Sequence, residues 1–343
     1  LNPIVHNTIQ VKKMNQELVR QALKTMKQGT KSMVAQATGL SIATCGNLLN
    51  ELQELGELIK LDVEESSGGR PAKLYRYNVD FSYIACLIIK SGEQAHSITY
   101  TVANLAGETI EKGYQENKRM DPAVIHQLVD RLIELFPQIR AVGIGVPGAV
   151  NQGIVNISEI QELMHVPLEA PIRDKHGVEV IVENDMNLTV YGYYQKQDYE
   201  EEETVVVATF DQGCFPGAGI MVNGHIHRGS TRFAGEISFL PFGMSSEEQF
   251  RQLHDRATFY ELVGRAVSSL TAVLNPKTVA LTGSLVFPSD IDRIRQECRK
   301  SIPDMHMPQL TLLEHPDEDY GYGLITMTLE SLAYSLRIVD KRR

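Results

Sequence analysis

The chain has 343 residues, 43% of them apolar, and a formal net charge of −10. That is length for two or three domains with real cores, and the wrong overall charge for a protein that does nothing but bind nucleic acid. The charge is uneven, with a net of +3 over residues 1–78 and −13 over the rest, the pattern of a mildly basic DNA reader joined to an acidic body.

In chain order, residues 14–26 place Leu18, Val19, Ala22, Leu23 and Met26 on one helical face, a supporting helix. Residues 32–45 then read as two short helices meeting at a tight turn. Ala35 allows a close crossing, Gly39 supplies a left-handed turn residue and Ser41 caps the second helix, while Val34, Leu40, Cys45 and Leu48 face inward. This is the spacing of a helix-turn-helix, whose second helix enters a DNA major groove; an ordinary helical hairpin is the alternative. Opposite the leucines lie Ala43, Thr44, Gly46, Asn47 and Asn50. Asn bonds bidentately to adenine and Thr touches a thymine methyl or a phosphate, and Gly46 either brings the backbone close to DNA or is a tolerated defect.

Leu58-Ile59 and residues 74–77 read as strands flanking Ser66-Ser67-Gly68-Gly69-Arg70-Pro71-Ala72-Lys73. Two strands around a Gly-rich basic loop make a wing, with Arg70 and Lys73 the candidate groove and phosphate contacts; an interdomain linker is the other reading.

From residue 83 the texture is α/β. Strands are expected at 83–90, 96–105 and 108–113, a helix at 122–136, and strands at 141–146 and 178–183, the last opening onto Asn184-Asp185 and a helix. Strands at 204–210 and 217–222 and a hairpin at Asn223-Gly224 begin the same plan again, which points to two lobes with a cleft between them. The cysteines Cys45, Cys86, Cys214 and Cys298 form no C-x-x-C pair, no apolar run approaches the roughly 20 residues of a membrane span, and no signal peptide opens the sequence. The expectation is a cytoplasmic protein without a disulfide framework or membrane association.

Five runs, in order, carry a family resemblance: Ala141-Val142-Gly143-Ile144-Gly145-Val146-Pro147-Gly148; Val182-Glu183-Asn184-Asp185-Met186-Asn187; Gly217-Ala218-Gly219-Ile220; Ala234-Gly235-Glu236-Ile237; and Leu274-Asn275-Pro276 with Leu281-Thr282-Gly283-Ser284. From about residue 81 onward the chain resembles the ROK family, which groups sugar-responsive transcriptional repressors with sugar kinases on an actin/hexokinase-like ATPase fold. The resemblance implies an α/β chain in which an N-terminal winged helix-turn-helix (1–80) precedes a two-lobed body, with 81–185 plus a C-terminal helix (320–341) as the first lobe and 186–319 as the second. It implies that Asn184, Asp185 and Glu236 contact sugar hydroxyls, Asp185 standing where the kinases keep a general base. A carboxylate accepts two hydroxyls and an Asn both donates and accepts, so the chemistry agrees. A helix N-cap is the plainer role for Asp185.

Three departures separate the chain from the kinases of that family. The first phosphate turn, Asp-x-Gly-x-Thr-like in the kinases, is here Lys90-Ser91-Gly92-Glu93-Gln94-Ala95-His96. The second, Gly-Thr-Gly-x-Gly-Ala-Gly in the family, is Gly213-Cys214-Phe215-Pro216-Gly217-Ala218-Gly219, where Phe215 fills phosphate space and Pro216 lacks an N–H. Where zinc-holding members carry a His stands Phe239, and residues 242–247 contain no cysteine. The expectation is a DNA-binding repressor of carbohydrate genes that senses a sugar or sugar phosphate in the cleft, with no kinase activity, metal or cofactor. It would read an A·T-rich inverted repeat as a homodimer or tetramer. An active kinase with a DNA-binding head, and a body serving only as a dimerisation scaffold, are the alternatives.

Overall fold

Gly39, with a φ of 72°, ends one helix by returning its N–H to the carbonyl of Ala35, and two residues later the Ser41 hydroxyl accepts from the N–H of Thr44 to start the next. This turn organises the head of the molecule. The computed structural model describes residues 3–61, 73–92, 94–197, 199 and 202–332, with backbone only over 3–10. The head comprises α1 (Pro3–Met26), β1 (Gln28–Thr30), α2 (Lys31–Thr38), α3 (Ile42–Glu54), β2 (Leu58–Leu61) and β3 (Leu74–Tyr77), its strands ordered β1-β3-β2 in one antiparallel sheet. Val19, Leu23, Val34, Cys45, Leu49, Leu52 and Tyr75 form its core.

The sequence reading needs three corrections in this region. Leu18 is exposed while its neighbour Val19 is buried. The short strand β1, three residues around Gly29, carries too little periodicity to be read from sequence. Gly46 does not face outward: it is buried, and a Cβ there would meet the Lys31 side chain at 3.2 Å. The neighbour is the flexible end of a lysine, which can give way, so the contact by itself does not require a glycine.

The body repeats one plan. The first half contains β4 (Tyr83–Lys90), β5 (His96–Asn104), β6 (Thr109–Asn117), α4 (Pro122–Leu135), β7 (Ile139–Val146), the short strands β8 (Val150–Asn151), β9 (Ile154–Val155) and β10 (Val166–Pro167), α5 (Glu169–His176) and β11 (Glu179–Asn184). After α6 (Asp185–Lys196) come β12 (Val205–Thr209), β13 (Gly217–Val222), β14 (His225–Ile226), α7 (Ser246–His254), α8 (Arg256–Leu274), β15 (Thr278–Thr282), α9 (Ile291–Cys298), β16 (Gln309–Leu312) and α10 (Pro316–Ser331). One sheet runs β11-β7-β4-β5-β6 and the other β14-β13-β12-β15-β16. Read from the antiparallel edges, β6 and β14, the two orders correspond: an antiparallel three-strand meander, then two strands that continue in parallel.

The two-residue period of the strands loads both faces of each sheet. In β4, Ala85, Leu87 and Ile89 pack toward α4 and α5, while Ile84 and Cys86 pack toward α10. In β12, Val206 and Ala208 join the core under α8, and Val205 and Val207 join Val190 of α6. Helices α6 and α10 therefore lie between the sheets. They cross too closely for any side chain at the contact: a Cβ on Gly192 would stand 1.9 Å from the Asp319 carbonyl oxygen, and one on Gly323 2.1 Å from that of Leu188. Residues 78–82, between β3 and β4, are stitched to both parts, with Asn78 Nδ2 donating to the Gly56 carbonyl and Asn104 Nδ2 to Asp80. No helix among the described residues is long and apolar enough to cross a membrane.

Candidate functional site

On the head, Ser41, Ala43, Asn47 and Asn50 are exposed and Thr44 is half-buried, all on the face of α3 away from the core. Asn50 is tied back to the sheet, its Oδ1 accepting from the Tyr75 hydroxyl at 3.1 Å. That fixes its side chain and occupies one lone pair of the oxygen that would face adenine. Lys73 is exposed at the start of β3; Arg70 lies outside the described residues.

The body carries a cleft of about 700 Å³ between the two sheets, and Asn184, Asp185 and Glu236 all line it. Asn184 ends β11, and its Oδ1 accepts from the N–H of Asn187, so Asn184 and not Asp185 is the N-cap of α6. Its Nδ2 donates to the Gly148 carbonyl and to Asp185 Oδ1, both at 2.9 Å. Asp185 is thereby released from capping. Its Oδ1 also accepts from the N–H of Met186 at 2.8 Å, and its carboxyl is pushed up to about 7, first by burial and then by the negative charges of Glu159 and Glu236, against the opposing Met186 hydrogen bond. Burial likewise raises Glu236. Glu236 follows Gly235, whose φ of 97° turns the chain against the Ala218 carbonyl.

Beneath these groups lies an ion pair that the sequence reading did not isolate. The buried Glu183 accepts from the Asn184 N–H and from Asn187 Nδ2 through Oε1, and from Arg228 Nε at 2.7 Å through Oε2. Glu183 was visible beside Asn184 in the motif. Arg228, 45 residues away, carried no signal. Two further lining groups were also missed. The Tyr320 hydroxyl of α10 and Gln249 Nε2 of α7 are buried and have no hydrogen-bond partner, although both side chains line the cleft and are only 4% exposed.

The two altered turns use their own polar groups internally. Lys90 pairs with Asp317 at the start of α10. After β12, the Gln212 N–H donates to Ser284 Oγ at 2.8 Å and the Gly213 N–H to His254 Nε2 at 3.0 Å, while Asp211 accepts from Thr209 Oγ1 and the Ser284 N–H. Phe215 is 45% exposed and packs edge-on to Phe250; Phe239 is 67% exposed and leans on Phe233. Among the described residues no group of three or more His, Cys, Asp or Glu side chains is placed to hold a metal ion.

The sequence signature of the ROK family matches residues 89–249. That stretch, from β4 to α7, is a ROK-family domain. The xylose repressor of Caldicellulosiruptor bescii is 26% identical over 238 residues, 66% of this chain and 58% of the repressor, and that of Bacillus subtilis 23% identical over 240 residues, 67% and 61% of the two chains. This chain therefore spans about three-fifths of the length of the repressors it matches. The N-acetyl-D-glucosamine kinase of Histophilus somni is 34% identical over a shorter stretch of 144 residues, 39% of this chain and 46% of the kinase. Among solved structures, a ROK family transcriptional regulator homologous to the E. coli MLC protein superposes with a TM-score of 0.63 at 19% identity, over 93% of this chain and 99% of that one. At that identity the likeness establishes the fold, with the head included in the match.

Proposed function

We propose that this chain is a sugar-responsive DNA-binding repressor of carbohydrate genes whose body binds a sugar in the cleft and transfers no phosphate. The observation that carries the reading is the pairing of a released carboxylate, Asp185, with a facing turn whose amides are already taken by Ser284 and His254. A phosphate cradle needs several free backbone N–H groups. A hydroxyl site needs only side chains that accept and donate, which Asn184, Asp185 and Glu236 supply. The xylose repressors among the relatives favour the same reading and make D-xylose the first sugar to test.

On the head, Ser41, Ala43, Thr44, Asn47 and Asn50 would present α3 to the major groove, with Arg70 and Lys73 on the wing. A homodimer or tetramer would match an A·T-rich inverted repeat. The route from sugar to DNA is the α6–α10 pair. Asp185 opens α6, Tyr320 lies on α10, and the far end of α10, with Leu329 and Glu330, shares a cavity of about 360 Å³ with Gln21 and Lys24 of α1. A sugar shifts the head only by its differential affinity for the two arrangements of this pair.

The test compares melting temperature and retention of DNA flanking the chain's own gene, with D-xylose, D-glucose and N-acetyl-D-glucosamine, against ATP–Mg²⁺. One sugar raises the melting temperature and alters DNA affinity, and ATP–Mg²⁺ does neither. Phosphorylation of any of these sugars overturns the reading in favour of a kinase.

A further inference from the structure

A cleft that exposes large apolar side chains and buries an unpaired amide donor is built to take something that covers both. Phe215 and Phe239 line this cleft while 45% and 67% exposed, a cost in water that a folded chain tolerates when a ligand or partner covers the surface. Each packs on a second ring, Phe215 on Phe250 at 5.6 Å between ring centroids and Phe239 on Phe233 at 5.1 Å. Gln249, one residue before Phe250 on α7, is 96% withdrawn from solvent, lines the same cleft, and leaves Nε2 without any acceptor. A buried amide donor that lacks a partner forfeits its hydration for nothing unless a ligand oxygen arrives. These groups all sit on the second-lobe side of the cleft, apart from Asn184 and Asp185, which end β11 and begin α6.

We propose that this wall is a second subsite, for a neutral ring attached to the sugar held by Asp185. The effector is then a disaccharide or aryl glycoside, not a free monosaccharide or a sugar phosphate. The inference rests on the sugar-sensing reading above and adds the class of sugar. The C–H face of a pyranose, or an aromatic aglycone, packs on Phe215 and Phe239, and a ring or glycosidic oxygen accepts from Gln249 Nε2. The turn on this wall offers a phosphate no cradle, since the Gln212 and Gly213 amides are already bonded and the Asp211 carboxyl stands beside them. A nucleotide base would also stack on phenylalanines, but its phosphates would meet the same obstacles.

The experiment is titration calorimetry on the full chain with D-xylose, D-glucose and N-acetyl-D-glucosamine, each also as its β-1,4-linked disaccharide, its phenyl β-glycoside and its 6-phosphate, or 5-phosphate for xylose. For the sugar that binds, the ring-bearing form is expected to bind about tenfold more tightly than the monosaccharide. The Phe215→Ala/Phe239→Ala variant brings that ratio toward one, and Gln249→Leu reduces it. The disaccharide and phenyl arms tell a second sugar from an aglycone. Equal affinity for free and ring-bearing sugars, a ratio that survives the double variant, or tightest binding of the phosphate overturns the subsite while leaving sugar sensing standing. Failure of every sugar to bind overturns both, and ATP binding without sugar binding assigns the wall to a nucleotide.

Discussion

On the first-lobe wall of the cleft, at the end of β11, Asn184 caps α6 and leaves Asp185 among the cleft-lining groups; on the second-lobe wall, the turn after β12 gives its Gln212 and Gly213 amides to Ser284 and His254. The halves share one strand order, so the contrast arises from side chains and not from architecture. A wall stays open to hydroxyls when a neighbour takes over its structural hydrogen bonds, and closes to phosphate when its own backbone donors are satisfied within the protein. Asn184 does the first for Asp185, and Ser284 and His254 do the second for the turn.

The largest expected effect tests the open wall. Asp185→Ala removes the carboxylate proposed to accept from the sugar, and a hydrogen bond to a charged group is worth about 1.5–3 kcal/mol. Sugar affinity should fall roughly ten- to hundredfold, measured by calorimetry, with DNA retention unchanged in the absence of sugar. Because the cap is Asn184, the melting temperature should hold; a variant that unfolds would return Asp185 to a structural role.

Next is the ion pair beneath both walls. Arg228→Ala leaves Glu183 buried without its cation, and the loss should approach about 2–3 kcal/mol, below the range for fully buried pairs because Arg228 is partly solvated. The Arg228 guanidinium also ties the start of the loop that reaches Glu236 to Glu183, whose other oxygen accepts from the Asn184 N–H, so sugar affinity should weaken together with stability. Denaturant unfolding with and without sugar reads both. A neutral result would mean that the lobes are held in register by packing alone.

Asn184→Ala should act on both functions to a smaller degree. Losing an N-cap costs about 1 kcal/mol, and the Gly148 bond goes with it. Asn184→Asp sharpens the comparison, because it keeps the cap oxygen and abolishes the amide donors to Gly148 and Asp185. If its stability stays near wild type while sugar affinity drops, capping and ligand positioning are separable at this residue.

Much of this was legible in the sequence because it depends on local pattern. The turn at Gly39 and Ser41, the strand periods of β4 and β13, and the end of β11 at Asn184-Asp185 each follow from residues within a few positions of one another. What was not legible required distant partners. Gly46 read as an outward position until Lys31 was placed over it, and Asn184 and Asp185 could not be told apart as caps from their types alone. Arg228, Gln249 and Tyr320 gain meaning only from what lies across the cleft. Phe215 and Pro216 stand out in the sequence of the turn after β12; the acceptors of its Gln212 and Gly213 amides, Ser284 and His254, needed tertiary structure.

A pH dependence isolates the open wall. In the folded chain the Asp185 carboxyl titrates at about 7 against an ordinary value of 3.8, so between those values the folded state holds a proton that the unfolded state has lost. Stability from this group is complete below about pH 4 and declines as pH rises through 7. Asp185→Asn removes the titration. Its melting temperature should therefore gain on wild type as pH climbs from 4 to 7, and the difference should stay constant above that, whatever the other carboxylates do to both proteins alike. Sugar binding should run the other way in the wild type. The ionised carboxylate accepts two hydroxyls, so affinity should rise through pH 7 and level off, and Asp185→Asn should flatten that rise. Parallel melting curves for the two proteins across this window would mean that Asp185 ionises normally, fully hydrated at the mouth of the cleft, and the released carboxylate would lose its claim as the anchor of the ligand.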